Sequence, residues 1–151
     1  MPELPPHRER VRPEWIDYNG HLSEAYYVLV FGHATDALMD HVGLDAAYRA
    51  RTGNSLYTVE AHVRYLDEVP GEAELTVTTR VLGADAKRVR LTHEMTLAGR
   101  LRATEEIMAL HVDGEEARTT PFPEAVRETL TALLEPPPEY AGRAIAAVPR
   151  T

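Results

Sequence analysis

The stretch Trp15–Tyr27, WIDYNGHLSEAYY, sets Asp17 four residues ahead of His21 with Asn19-Gly20 between them, directly before the longest helical pattern in the chain. Asn-Gly is a common turn pair, and Gly20 can take a positive φ that lets the backbone double back. From residue 23 to 42, Tyr27, Phe31, Ala34, Leu38 and Val42 recur at three- and four-residue steps, the spacing of one helical face. Ser23 reads as the N-cap, Glu24 complements the positive end of the helix dipole, and Gly43 stands where a left-handed residue stops a helix. Gly32, Ala34 and Ala37 interrupt the apolar face, which predicts that other backbone packs closely against the middle of this helix.

Working outward, the period changes to two. Residues 55–67 place Tyr57, Val59, Ala61, Val63 and Tyr65 on one face of a long strand, and the turn VPGE at 69–72 leads into alternation over 73–82. Two more strands follow at 87–98 and 101–112, and hairpins are expected to join them. Glu105 and Glu106 break the alternation of the last strand. Pro123 opens a second helix with Val126, Leu130, Leu133 and Leu134 as its buried stripe; Pro136, Pro137 and Pro138 end it, and the remainder reads as a tail. With a short strand at 7–12, the order predicts an α+β fold, an antiparallel sheet long enough to curl lengthwise around one long central helix. One helix cannot cover both faces and both edges of such a sheet, so pairing with a second copy is expected, as a homodimer or homotetramer.

Composition narrows the chemistry. A chain of 151 residues fits a single domain, 1–151, with a C-terminal helix and Pro-rich tail from about 121. A formal net charge of -8 argues against a nucleic-acid partner, no apolar run is long enough to span a membrane, and the N-terminus lacks a secretory core, which predicts a cytoplasmic product. The absence of cysteine removes disulfides, thiol nucleophiles and thiolate metal sites. His33, His41, His62, His93 and His111 show no tight ligand spacing, so neither a metal nor another cofactor is expected.

The motif and the order of elements resemble the hotdog-fold acyl-CoA thioesterases of the 4-hydroxybenzoyl-CoA thioesterase type. Many members carry Asp-x-Asp-x-x-Gly-His-Val-Asn-Asn-x-x-Tyr before the central helix, and Asp17, Gly20, His21 and Tyr27 fall in register with it. Trp15 replaces the first aspartate, and Ser23 and Glu24 replace the asparagine pair; the likeness of pattern runs over residues 11–123. The resemblance implies an acyl-CoA substrate and a catalytic Asp17. The residues themselves suit that chemistry. A thioester carbonyl needs an attacking oxygen and donors for the charge that develops on its own oxygen. Backbone N–H groups around Ser23 and Glu24 would supply the donors, and Asp17 would be either the nucleophile or the general base for water. Competing with this, Asp17 can simply cap a turn with Asn19, His21 can brace the loop as readily as position substrate, and Tyr27 is a packing residue before it is a catalyst.

Lys87, Arg88 and Arg90 are the first candidates for the phosphates of CoA, with Arg64, Arg100 and Arg102 as alternatives. Trp15, Tyr18, Tyr26, Tyr57 and Tyr65 lie in segments that should border the acyl pocket, and aromatic faces attract quaternary ammonium groups. The stretch EWIDYNGHLSEAYY is also similar to thioesterases that act on betainyl-CoA in carnitine breakdown, including versions fused to a carnitine dehydrogenase. Two other functions stand beside hydrolysis: acyl-CoA binding without turnover, and a hydratase or dehydratase, which would need a histidine and a carboxylate set together.

Overall fold

The computed structural model describes residues 3–150, so the two ends of the expected 1–151 domain lie outside the described residues. The long helix, α1 (Glu24–Val42), begins after Ser23 and stops at Gly43, whose φ of 100° is the left-handed cap expected from the sequence. Tyr27, Phe31, Ala34, Leu38 and Val42 are buried along it, joined by Val30 and Met39. The sheet consists of β1 (His7–Arg10), β2 (Asn54–Tyr65), β3 (Glu74–Ala84), β4 (Arg88–Leu97) and β5 (Arg100–Asp113), all antiparallel, in the order β1-β3-β4-β5-β2, with a short β6 (Arg118–Thr119) on β5. This is the α+β hotdog arrangement, a curled antiparallel sheet lying along one long helix. Among the described residues, no helix is long and apolar enough to cross a membrane.

Hairpins join β3 to β4 and β4 to β5, as expected, but β2 and β3 do not pair. β2 lies at the far edge, beside β5, and the 66–73 connection crosses back beneath the N-terminus of α1. There Leu22 N–H donates to the Val69 carbonyl at 2.8 Å, and His21 bridges to Pro70. A short helix α2 (Ala46–Thr52), which sequence periodicity did not reveal, leads into β2, and its Tyr48 hydroxyl meets His111 Nε2 at 2.8 Å. The C-terminal helix α3 (Glu124–Ala132) buries Val126 and Leu130 as expected. The segment after it is a strap rather than a free tail. Glu135 N–H donates to the Val81 carbonyl, the Tyr140 hydroxyl to Glu94, and Gly142 N–H to Glu106, which ties it across the convex face.

A bulge in β2 changes one expected face. The register shifts between Thr58 and Glu60, so Tyr57 pairs with Leu110 on the convex side while Ala61, Val63 and Tyr65 face the helix side opposite Ile107, Glu105 and Ala103. Gly32 also departs from expectation: it lies exposed, with nothing within 4 Å of where a Cβ would sit. It belongs to an open stripe of α1 with Ala25, Val28 and Leu29.

What seats α1 is a row on the concave face. Thr79, His93, Glu105 and Val63 stand side by side on β3, β4, β5 and β2. His93 is fully buried, stacked on Phe31 of α1, with its Nε2 2.8 Å from the Thr35 hydroxyl and its Nδ1 2.7 Å from that of Thr79. Burial pushes its pKa down from the ordinary 6.5 to about 3, so the folded protein holds it neutral. The unfolded chain binds this proton below about pH 6.5 and the folded one does not, so His93 lowers stability as pH falls from there towards 3. His93→Gln should therefore flatten the acid limb of a stability–pH curve while lowering stability at pH 7 by about 1–3 kcal/mol, read by chemical denaturation.

Candidate active site

Residues 16–22 form a miniature hairpin whose foot, Ile16 opposite Leu22, abuts the N-terminus of α1. Asp17 and His21 are its next pair, closed by the Asp17 N–H to His21 carbonyl bond at 2.9 Å, and Gly20 turns it with φ 79°. Asp17 Oδ1 accepts from the Asn19 N–H at 2.9 Å and more distantly from that of His21 at 3.4 Å. The turn-capping role is thus present, and it occupies one oxygen. Oδ2 has no partner among the described residues, and the side chain is half-buried rather than free in solvent. The His21 ring is 3.2 Å from Glu68, which holds it against the 66–73 connection.

The helix end beside this hairpin is open. Ser23 caps by backbone conformation alone, making no side-chain cap bond, and its own N–H is taken by the Trp15 carbonyl at 2.9 Å. The free donors expected around Ser23 and Glu24 are accordingly those of Glu24 and Ala25, which meet no acceptor among the described residues. With the macrodipole behind them, two adjacent amides at a helix N-terminus suit an oxyanion.

The expected aromatic and basic residues divide. Trp15 is buried, with Tyr26 stacked at 5.6 Å and the Arg12 guanidinium 5.5 Å from its ring centre, so its faces are already used and it cannot wall a pocket for a cation. Tyr18 stands at the hairpin tip, 96% exposed, and covers nothing within one chain. Tyr27 is buried and its hydroxyl donates to the Asp67 carbonyl at 3.2 Å, a packing role. Its ring meets Tyr65 edge-on at 5.1 Å. Lys87 and Arg88 sit in the β3–β4 turn, which lies at the other end of the sheet from the helix N-terminus, about 30 Å away along ten-residue strands. Arg88 is paired there with Asp85 at 2.8 Å, whose carboxyl falls to about 2, chiefly through the Lys87 backbone amide and the Arg88 side chain. Within one chain the basic residues near the helix N-terminus include the alternatives Arg100 and Arg102, which flank Asp67 at 2.8 and 3.7 Å, and Arg64, together with the Arg12 that lies on Trp15. Arg90 faces the convex side and pairs with Glu106.

Two groupings escaped sequence reading. His7, Glu9 and His33 converge from β1 and α1, with Glu9 within 3.0 Å of both rings; these are the described residues whose donor atoms lie close enough together to hold a metal ion, although the carboxylate here bonds both imidazoles. The other is Glu105. It is 95% buried on the concave face, and no hydrogen bond or ion pair reaches it among the described residues, since His93 beside it turns both ring nitrogens to threonines. The signal was a charged residue at an inward strand position.

A sequence profile described as the thioesterase-like superfamily matches residues 11–130. The chain belongs to that family. A betainyl-CoA thioesterase of Pseudomonas aeruginosa is 45% identical over 146 residues, covering 92% of each chain. An L-carnitine dehydrogenase/betainyl-CoA thioesterase of Agrobacterium fabrum is 49% identical over 147 residues, and there the match spans 94% of this chain but only 30% of the relative's length. Among solved structures, a Staphylococcus aureus protein in complex with CoA superposes with a TM-score of 0.86 at 29% identity over 95% of this chain and 94% of that one. A thioesterase-type protein of Pseudomonas putida KT2440 gives 0.84 at 40% identity, covering 99% of both chains. The domain is a thioester hydrolase of the hotdog class, acting on acyl-CoA.

Desolvation raises the Glu105 carboxyl from the ordinary 4.5 to about 7. The folded protein therefore holds a proton that the unfolded chain releases above about pH 4.5, so Glu105 lowers stability as pH rises through this window, opposite in sign to His93. Glu105→Gln should raise the melting temperature of the ligand-free protein at pH 8, by about 6–12 °C for up to about 3 kcal/mol, and change it little at pH 4.5; scanning calorimetry at both pH values checks this.

Proposed function

We propose that this domain hydrolyses betainyl-CoA to glycine betaine and free CoA, with Asp17 as the reacting carboxylate and the Glu24 and Ala25 amides as the oxyanion site. The observation that carries the substrate reading is 45% identity along nearly the whole of a betainyl-CoA thioesterase. The open helix end beside the free Oδ2 of Asp17 supports the residue roles. Asp17 acts in one of two ways. It attacks the carbonyl carbon, displacing the CoA thiolate and forming a mixed anhydride that water opens, or it takes a proton from a water that attacks instead. In both, the negative charge passes onto the carbonyl oxygen and then, as the C–S bond breaks, onto sulfur, which leaves as the thiol after taking a proton. His21, fixed by Glu68, keeps the hairpin upright.

The acyl site is completed by a second copy of the chain. β2 is an unpaired edge, on it the exposed Ala61 and Tyr65 flank the half-buried Val63, and on α1 Val28 and Leu29 are 43% and 40% exposed around the small Gly32. An edge strand next to an apolar stripe that permits close backbone approach supports an isologous dimer across this opening.

Release of CoA from betainyl-CoA should fall about 100-fold or more in kcat for Asp17→Asn, with KM little changed. Label found in Asp17 after a single turnover in 18O-labelled water, read by mass spectrometry of the protein, identifies the nucleophilic route with water attacking the aspartyl carbonyl, since a general base exchanges neither of its oxygens. Wild type that binds acyl-CoA but releases no thiol would replace hydrolysis with a binding role. Light scattering should give twice the 16.9 kDa of one chain, and Leu29→Arg should yield monomers without activity.

A further inference from the structure

We infer that Glu105, with the rings of Tyr65 and Tyr27, is the specificity element of the pocket: a buried carboxylate that receives the positive charge of a cationic acyl group. The inference rests on the thioesterase reading above and adds to it the residue that selects the acyl chemistry.

Four observations carry it. First, Glu105 lies at the boundary between covered and open sheet. Its neighbour on one side is His93, under α1, and on the other is Val63 of the edge strand, so its carboxylate faces the end of the concave surface that the helix leaves free. Second, it has no cation of its own. Arg102 bonds the Glu68 carbonyl and, like Arg100, flanks Asp67, while Arg64 pairs with Thr104 and so lies on the convex face, opposite Glu105. A carboxylate without a partner on a residue that is 95% buried is costly, and a stable fold keeps one only where something else meets the cost.

Third, Tyr65 links this carboxylate to the oxyanion site. Tyr65 lies diagonally beside Glu105, paired with Ala103 two residues along β5, and its hydroxyl reaches the Glu24 carbonyl at 3.5 Å, at the helix end whose amides are open. A thioester held at those amides thus has its α-carbon substituent directed along the Tyr65 ring. In a betainyl group the quaternary nitrogen is two bonds from the carbonyl carbon, so charge and carbonyl must be recognised within one side chain's length. Fourth, the surroundings of Tyr65 are negative. Burial raises its phenol, and the charges of Glu24 and Glu105 raise it further. Two carboxylates beside Tyr65, whose ring meets Tyr27 edge to face at 5.1 Å, attract a cation and disfavour a neutral acyl group of the same shape. A quaternary ammonium donates no hydrogen bond, which fits a carboxylate beside aromatic rings in place of a bonded ion pair.

The test compares betainyl-CoA with its carbon isostere, 3,3-dimethylbutyryl-CoA, which differs only in replacing the nitrogen cation with a neutral carbon. Wild type should prefer the cationic thioester, and Glu105→Gln should lower that preference in kcat/KM by about 10- to 100-fold. Glu105→Asp, which keeps the charge, should recover part of it. Tyr65→Leu, at a position 43% exposed and so tolerant of change, should lower the preference severalfold, a second test that does not depend on any substitution at Glu105. Equal losses on both thioesters, or a preference that survives Glu105→Gln, would overturn the role of Glu105 and leave the betainyl reading standing. Wild type that cleaves the two thioesters equally well would instead overturn the substrate reading itself.

Discussion

A single helix is narrower than the sheet it lies along, and the rest of the molecule follows from that mismatch. Five strands at about 4.8 Å spacing make a surface more than 20 Å wide, and one helix with its side chains spans about 10–12 Å. α1 resolves this by sitting to one side, over β1, β3 and β4. Three contacts fix it there: Phe31 stacked on His93, Thr35 bonded to the same ring, and His33 bonded to Glu9. The β2 edge of the concave face is then left open, next to β5, whose Ala103, Glu105 and Ile107 are buried. An open edge is a poor arrangement for an isolated chain and a suitable one for a substrate pocket shared between two.

The same asymmetry explains where polar groups lack partners. On the covered side, each buried polar side chain of the seating row is bonded: His93 to two threonines, Glu9 to two histidines. On the open side, Glu105 and the amides of Glu24 and Ala25 have no partner. Amides in the first turn of an exposed helix end are ordinarily left to water, whereas an unpartnered carboxyl on a buried residue is rare, and the two together offer a place where an anionic oxygen and a positive charge can be received close together. The family relationship names the chemistry as thioester hydrolysis; the unpartnered groups indicate how this chain would direct it.

Much of the fold was legible because it rests on local rules. The buried stripe of α1, its stop at Gly43 and the four long strands all follow from periodicity and capping, which act within a few residues. The position of Asp17 in a turn ahead of a helix was legible for the same reason. What local pattern could not reveal was pairing. β2 and β3 are neighbours in sequence and lie apart in the sheet, and the single extra residue at Val59 moved Tyr57 to the convex face. Lys87 and Arg88 looked like natural phosphate ligands until the strand directions carried them to the far end of the molecule. Trp15 looked like a free aromatic wall until Tyr26 and Arg12 were found on its faces.

By itself, then, the order of residues determined the long helix, the four long strands, the family and the place of Asp17 in a turn ahead of that helix, because helix period, strand period and turn chemistry are properties of short segments. Tertiary structure alone decided which side of the sheet the helix covers, which helix amides stay open and that Glu105 is buried without a partner. Those outcomes depend on register between strands distant in the chain, and a one-residue change in register moves every side chain to the opposite face.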